Sequence, residues 1–594
     1  MMKIILKEIE KSFKGNTIFR NISLSIHEGD KIGLIGVNGI GKTTIIKILM
    51  GEEIADSGKV IISPEYLKIG YLKQFNEFEE STTVSEKLNS STVSLSTRAN
   101  NSNYGKKLKD SLIKLGFKER DLNKKISKLS GGEKTKLSLC MALSENPDML
   151  VLDEPTNHLD IDSIKWLEEF LNSVNKTMLI VSHDRLFLDN TVNKIFEMER
   201  TGVKEYNGNY TAYKLQKEHS LKSLKNEKAK QEKEIKKLEK VIDDREKWHE
   251  KASNDKSIKF KIGNPRTFKC NSTKHASILH SKEKQLKKLK ENKVEIPKES
   301  KSAPFDFTNK KANIDYNLPK FLIKVNRLKK SFGNRIIFNN GAFNIKNNDK
   351  IALIGKNGSG KTTLLKILLE IEKQDSGTVD ITSSLKIGYF SQQLENLNFK
   401  NTILQEILST GIDKNEGRKL LGKFLFRGKD VFKVIESLSM GEKCRVAFAK
   451  LNVPHINMLI LDEPTNHMDI LSKESIEKAL KDYSGAIIFV SHDRYFINSI
   501  ANRVFEIENQ NIKIYEGNYK YYLERKEEDK KKEKLGDKYI NIKDEIIKLE
   551  CEMAFLSSKL KRRRIDIESE EEDVQRFFRI AEKLKEYKIK INSN

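Results

Sequence analysis

The chain has 594 residues, 37% apolar and 33% charged, with a formal net charge of +25 at pH 7. That length allows several domains with cores of their own, and so polar a composition excludes one compact globule in favour of globular modules joined by solvated helices. The cationic excess points to a polyanionic partner, nucleic acid or an acidic membrane surface, with a Lys-rich proteome as the plain alternative.

The N-terminal stretch Met1 to Glu8 is broken by charge within a few residues, so it does not read as a signal peptide. The first strong element is an apolar strand, Lys31 to Ile35. A loop follows, Gly36-Val37-Asn38-Gly39-Ile40-Gly41-Lys42-Thr43-Thr44, and then a helix from Thr43 to Leu49. Strand, glycine-rich loop and helix in that order make a phosphate cradle. The glycines let backbone N–H groups wrap phosphate oxygens, and the helix N-terminus adds positive potential. Lys42 should reach the β- and γ-phosphates of a nucleoside triphosphate, and Thr43 should ligate Mg²⁺.

The polar run Asn89 to Asn103 reads as a surface loop. Then come Leu129-Ser130-Gly131-Gly132-Glu133-Lys134 and the strand Met149-Leu150-Val151-Leu152-Asp153. A buried parallel strand delivers Asp153 to a metal at its C-terminal end. Glu154, the next residue, is placed to orient and deprotonate a water. His183 follows a further apolar strand, in Val181-Ser182-His183-Asp184-Arg185. The module, assigned to residues 1–213, ends near Tyr206 to Tyr213.

Residues 214–300 differ in kind. Lys214 to Glu250 is rich in Lys and Glu, holds neither Pro nor Gly, and has sparse apolar positions partly at 3/4 spacing. A continuous helix there would run roughly 55 Å. A polar break dotted with aromatics and cations follows: Trp248, Lys259, Phe260, Lys261, Gly263 to Arg266, and Phe268. A second helical stretch runs from His280 to Lys293. An antiparallel hairpin with a basic, aromatic tip is expected, suited to folded RNA, where rings stack and cations meet phosphate. The alternative is a passive solvated linker, which would be richer in Gly, Ser or Pro.

The second module, residues 301–525, repeats the first. Lys350 to Ile354 leads into Gly355-Lys356-Asn357-Gly358-Ser359-Gly360-Lys361-Thr362-Thr363, and Leu438-Ser439-Met440-Gly441-Glu442-Lys443 and Met458 to Asp462-Glu463 follow, with His492 in a second Val-Ser-His-Asp-Arg. Lys42 and Lys361 are 319 residues apart (361 − 42), whereas Asp153 and Asp462 are 309 apart (462 − 153). The ten-residue difference falls at the polar run after Asn89. Beyond the signature segment the modules are collinear, as a duplication requires.

Residues 526–594 carry apolar positions Ile542, Ile546, Leu549, Met553, Leu556 and Leu560, a coiled-coil seam. Lys561 to Arg564 and an acidic run follow, and then a stripe of Val574, Phe577, Ile580, Leu584 and Tyr587. A second helical hairpin is expected, either a stabilising appendage or, through its basic turn, a contact for nucleic-acid phosphates. Apolar runs such as Ala486 to Val490 are strand-length, short of the ~20 residues that span a bilayer. Cys140, Cys270, Cys444 and Cys551 form no CxxC pair, which argues against a cysteine metal site and fits a reducing cytosol.

With these motifs in place the chain resembles the ATP-binding-cassette superfamily. The resemblance rests on the serine–glycine signature at Ser130, Gly131 and Gly132, repeated at Ser439 and Gly441 with Met440 in place of one glycine. It implies an Mg²⁺-dependent ATPase of α/β fold with two tandem P-loop domains. Gln74 and Gln392 match the Q-loop and join Thr43, Asp153, Thr362 and Asp462 as expected Mg²⁺ ligands. Asp160 and Asp469 match the D-loop. His183 and His492 match the switch histidine that contacts the γ-phosphate. Phe13 and Phe332, each in Lys-Ser-Phe, match the aromatic that stacks on adenine, with core packing the open alternative because Phe19 and Phe338 lie close by. Gly36, Asn38, Gly39, Gly41, Thr44, Gly355, Asn357, Gly358, Gly360 and Thr363 complete the expected ATP contacts.

The superfamily closes two modules head-to-tail around two ATP molecules. By that resemblance Lys42, Asp153, Glu154 and His183 face Ser439 and Gly441, while Lys361, Asp462, Glu463 and His492 face Ser130, Gly131 and Gly132. A side chain at Met440 would crowd the first site and slow it. Two cassettes on one chain, no membrane span and a charged helical linker resemble the ABC-F family in particular, over nearly the whole length. That likeness implies a cytoplasmic monomer with an intramolecular sandwich, whose partner is the bacterial 70S ribosome. It would enter the tRNA exit site when ATP-bound, with its hairpin toward 23S rRNA and P-site tRNA, and hydrolysis would release it. The short first-cassette arm, long linker and C-terminal hairpin resemble the members that protect ribosomes from lincosamides, pleuromutilins and streptogramin A. A general translation factor is the first alternative; an exporter motor or a DNA-associated ATPase is the remote one.

Overall fold

The computed structural model describes residues 2–13, 15–73, 81–93, 109–110, 112–113, 117–144, 146–157, 159–254, 265–294, 319–452, 456–466, 468–529, 531, 545–546, 548–550, 552–553 and 567–592. The apolar runs form strands buried along their whole length: every residue of Met149–Asp153, Thr177–Val181, Met458–Asp462 and Ala486–Val490 is buried. Strands without a polar face need cover on both sides, and a parallel sheet between layers supplies it. In the first cassette the sheet runs Ile69–Leu72, Met149–Asp153, Thr177–Val181, Lys31–Ile35, Lys194–Glu199, Gly202–Asn207. In the second it runs Ile387–Phe390, Met458–Asp462, Ala486–Val490, Lys350–Gly355, Arg503–Glu508, Asn511–Tyr515. All pairings within each are parallel except the closing hairpin.

Each phosphate-loop strand is thus central, and its loop opens beside the carboxyl ends of the strands that carry the acidic pair and the histidine. A three-stranded antiparallel sheet covers each unit: Lys3–Phe13 between Asn16–His27 and Ser57–Ser63, and Phe321–Phe332 between Arg335–Lys346 and Ser376–Ile381. These sheets alternate buried and exposed positions, as a half-covered sheet should. Phe19 and Phe338 go into the core with no exposed surface, whereas Phe13 and Phe332 stay 43% and 49% exposed. Core packing is therefore the role of the first pair and not of the second.

The linker leaves the first cassette as the helix Tyr210–Asn254 and returns as Pro265–Glu291. Gln231 Nε2 donates to Leu289 O at 3.3 Å and to Asn292 O at 2.8 Å, and Lys290 Nζ lies 2.7 Å from Glu239 Oε1, so the two helices are antiparallel. The return helix begins fifteen residues before the expected His280. Proline at a first helical position forfeits an N–H that has no partner there anyway, and its fixed φ starts the turn. Arg266 and Phe268 therefore lie on the helix rather than in a break, and Trp248 lies on the outgoing helix. Lys259, Phe260 and Lys261 lie outside the described residues.

In the tail, Ile546, Ile580 and Leu584 form a small buried cluster flanked by Leu549, Met553 and Phe577, with Arg576 paired to Glu552. The two expected stripes do meet. Ile542, Leu556, Leu560 and the basic run Lys561 to Arg564 lie outside the described residues. No helix among the described residues is long and apolar enough to cross a membrane.

Candidate active sites at the cassette interface

Each phosphate loop is held open by left-handed glycines. Gly41 has φ 101°, and a Cβ there would come within 2.8 Å of Ile18 and 2.7 Å of Phe19; Gly360 has φ 106°, with Ile337 at 2.3 Å. Only glycine accepts both the angle and the crowding. Lys42 Nζ donates to Gly36 O at 2.9 Å, and Lys361 Nζ to Gly355 O at 2.8 Å. Burial pushes both ammonium groups below their ordinary pKa. Thr43 Oγ1 donates to Asp153 Oδ2 at 3.0 Å, and Thr362 Oγ1 to Asp462 Oδ2 at 2.9 Å.

The next residues are strained. Glu154 and Glu463 sit at φ 50° and 52°, a left-handed conformation uncommon for a residue with a side chain. Strain of this kind costs on the order of 1–3 kcal/mol and persists where the surroundings impose it. Burial raises the carboxyl pKa of each to about 7, against the pull of Lys42 and Lys361 respectively. Glu154 Oε1 and both Glu463 oxygens are buried without a hydrogen-bond partner among the described residues. A buried acceptor left open in this way calls for a donor such as water. His183 Nε2 lies 3.4 Å from Glu154 Oε1 and 3.1 Å from Asn38 Oδ1; His492 Nε2 lies 3.4 Å from Glu463 Oε1. Burial holds His183 well below its ordinary pKa and His492 down to about 4, so both rings are neutral near pH 7.

The cassettes face each other head-to-tail. Asp469 caps the helix Ile470–Asp482 through Ser472 N–H at 2.8 Å, and its other oxygen accepts Asn38 N–H across the interface at 3.2 Å. Asp160 repeats this, with Ser163 N–H at 2.9 Å and Asn357 N–H at 3.4 Å. A Cβ at Gly441 would stand 4.0 Å from Asn38 Nδ2, so the second signature faces the first phosphate loop. Ser130 and Ser439 each form a capping pair, donating their hydroxyls to Glu133 and Glu442 at 2.8 and 2.7 Å. Met440, which replaces the first signature glycine, opens its helix and is 46% exposed.

A cavity of about 610 Å³ lies along this interface. Its walls bring Gly131 of the first cassette to Lys361, Thr362, Thr363 and Gln392 of the second. Asn357, Gly358, Gly360, Asp462, Glu463 and His492 line it too, as does the exposed ring of Phe332. Glu154 and His183 of the first cassette line it as well. Gln74 lies outside the described residues.

The sequence reading missed the ion pairs that hold the faces together. Arg185 pairs with Glu477, its Nη1 3.1 Å from Oε2, and Arg494 pairs with Glu168 at 3.2 Å. Arg185 and Arg494 follow the two histidines, and Glu168 and Glu477 stand 309 residues apart (477 − 168). That shared offset was the available signal. No dedicated cluster of metal-ligating side chains occurs among the described residues. Mg²⁺ that keeps its waters and phosphate oxygens needs none, and the Thr43–Asp153 and Thr362–Asp462 oxygen pairs suit that hard ion.

Two phosphate loops, two strained glutamates and two opposed signatures in one closed interface define a tandem ATP-binding-cassette ATPase. The ABC transporter family matches residues 19–157 and 338–466, and a second family of the same description matches 196–262. The chain is 36% identical over 575 residues to the putative ATP-binding protein YdiF of Bacillus subtilis, covering 90% of this chain and 85% of that protein. It is 33% identical to ABC transporter F family member 5 of Arabidopsis thaliana (88% of this chain, 77% of that protein). It is 31% identical to the energy-dependent translational throttle protein EttA of Escherichia coli K12 (86% and 93%). The archaeal ribosome recycling factor aABCE1, solved with the stalk protein aP1, shares the fold at TM-score 0.54 and 19% identity, over 84% of this chain and 87% of that one. The chain belongs to the ABC-F family of ATPases.

Proposed function

We propose that the chain is an ATP-driven translation factor that acts on the ribosome. Likeness to EttA over 86% of the chain carries the reading. The net charge of +25 and a linker hairpin built on a 45-residue helix suit an RNA-rich partner. Such a helix reaches roughly 68 Å.

ATP would lie between the opposed cassettes. Phosphate-loop N–H groups and Lys42 or Lys361 would hold the β- and γ-phosphates, and Phe13 or Phe332, exposed as each is, would stack on adenine. Mg²⁺ at each site would neutralise phosphate charge, held by Thr43, Asp153 and by analogy Gln74 at the first and by Thr362, Asp462 and Gln392 at the second. Glu154 and Glu463 would take the proton of the attacking water as it adds in line to the γ-phosphorus. Neutral His183 and His492 would each offer a ring N–H to the γ-phosphate. Closure would fix the hairpin toward P-site tRNA and 23S rRNA, and hydrolysis would release the factor.

Protection against peptidyl-transferase antibiotics is the second reading, favoured by the length of the hairpin. EttA-like similarity supports the general factor over it. Purified protein in cell-free bacterial translation separates the two. The Glu154→Gln/Glu463→Gln variant should block drug-free translation and sediment with ribosomes. Rescue of lincosamide-inhibited translation by the wild-type chain would install the second reading. A trapped variant that leaves translation untouched would refute both.

A further inference from the structure

The duplication breaks at one buried position of the interface. Helix Ile470–Asp482 carries Lys473 where the first cassette carries Ile164. Lys473 is 8% exposed, and Ile164 2%. Lys473 Nζ donates across the interface to the backbone carbonyl of His183 at 3.1 Å, and to Asp493 Oδ2 of its own cassette at 3.3 Å. Ile164 offers no ammonium to the His492 carbonyl. Asp184 and Asp493, which cap the helices after the two histidines through Phe187 and Phe496 N–H at 3.0 Å each, are both buried and feel each other's charge. One lysine therefore serves two opposed acidic caps, and its one carbonyl contact goes to the first site.

The same helix bears the other contacts that set the first site. Its cap Asp469 holds Asn38 N–H, and Asn38 in turn meets His183 Nε2. Next to Lys473, Glu474 Oε1 lies 2.9 Å from Lys214 Nζ at the root of the linker helix. The counterparts of that pair are Lys165 and Leu523, a cation and an apolar side chain that form no ion pair with each other.

We infer that Lys473 is a positioning residue for the first ATP site, anchoring the His183 loop against Glu154 from the opposite cassette, and that the second site lacks this anchor. A buried charge-assisted hydrogen bond fixes a carbonyl more tightly than apolar contact does. The two sites therefore respond differently to the same closure. The inference rests on Glu154 and Glu463 being the general bases of the two sites.

Steady-state ATPase in two backgrounds tests it. Glu463→Gln leaves the first site to turn over, and Glu154→Gln leaves the second. Lys473→Met should lower kcat of the first site about tenfold, ~1.4 kcal/mol of barrier, with KM unchanged. The second site, which Lys473 meets only through the Asp493 cap, should lose less, about threefold at most. Lys473→Arg should recover most of the loss. Equal loss in both backgrounds would mark a merely structural residue and overturn the proposal, as would no loss in either. If Lys473→Met melts early, the exchange Lys473→Ile/Ile164→Lys keeps the composition and should transfer the sensitivity to the second site; an unchanged ratio of rates overturns the inference. The parent variants report separately on the bases. If Glu154→Gln/Glu463→Gln hydrolyses ATP like the wild type, the base assignment fails, and the proposal falls with it for a reason unrelated to Lys473.

Discussion

Replacing Arg185 by Met should cripple closure of the cassettes while leaving each cassette folded. Arg185 and Glu477 have side chains 1% and 11% exposed, and they meet only across the interface. With the cassettes apart both are hydrated, so the loss falls on the closed state. Breaking a buried pair costs ~3–5 kcal/mol because the surviving charge is stranded. Glu477 has an escape, since burial already raises its carboxyl above the ordinary 4.5. Taking up a proton at pH 7 costs about 2.5 pH units, or roughly 3.4 kcal/mol, and that caps the penalty. Closure should therefore weaken by up to about 300-fold at pH 7. With two nucleotides bound per closure, the ATP concentration for half-closure should rise by the square root, somewhat over tenfold. The sign with pH follows: each unit of acidification eases protonation of Glu477 by about 1.4 kcal/mol, so the defect should shrink toward pH 5.5. Fluorescence transfer between labels on the two cassettes, in the Glu154→Gln/Glu463→Gln background, measures closure directly. Arg185→Met/Glu477→Gln should regain most of the loss, although the contact of Arg185 with the Tyr495 ring at 4.0 Å is gone. An unchanged half-closure concentration, or a defect as large at pH 6 as at pH 8, would refute the argument.

Three further outcomes are expected. The acid limb of kcat should lie within about a unit of pH 7, because a general base must be ionised and burial holds Glu154 and Glu463 at about 7; a limb near 4.5 would show the carboxylates solvated during turnover. By linkage the nucleotide-free closed state takes up protons at these carboxyls, so closure without ATP should weaken as pH rises from about 4.5 to about 7 and level off above, read by the same labels on the chain with both glutamates in place. Phe332→Ala should raise the KM for ATP by about tenfold at the second site, and Phe13→Ala likewise at the first, by loss of a base–aromatic stack of ~1–3 kcal/mol. Isothermal titration with ATP and the bare triphosphate checks this; an equal loss for both ligands would remove the rings from the adenine site.

What was legible in the sequence was whatever repeats locally. A five-residue apolar run ending in Asp and Glu specifies a buried strand and the charge at its tip, and the 309-residue offset carries that inference from Asp153 to Asp462 unaltered. The loop glycines needed nothing from distant parts of the chain. The early start of the return helix is hidden in the sequence because Asn271, Ser272 and Thr273 argue against helix individually, while Pro265 at the first position starts it. Phe13 and Phe19 could not be told apart from composition. Strand register decides, since one residue of slip turns a side chain from core to solvent. The pairs Arg185–Glu477 and Arg494–Glu168 span 292 and 326 residues, and no local pattern encodes such a meeting. The repeat nevertheless held a second layer of information in its exceptions. A duplicated interface with a pseudo-twofold axis uses each contact twice, so a buried position that departs from its counterpart does one thing at one site only. Ile164 against Lys473 is such a departure, and it sits where the two switch loops meet.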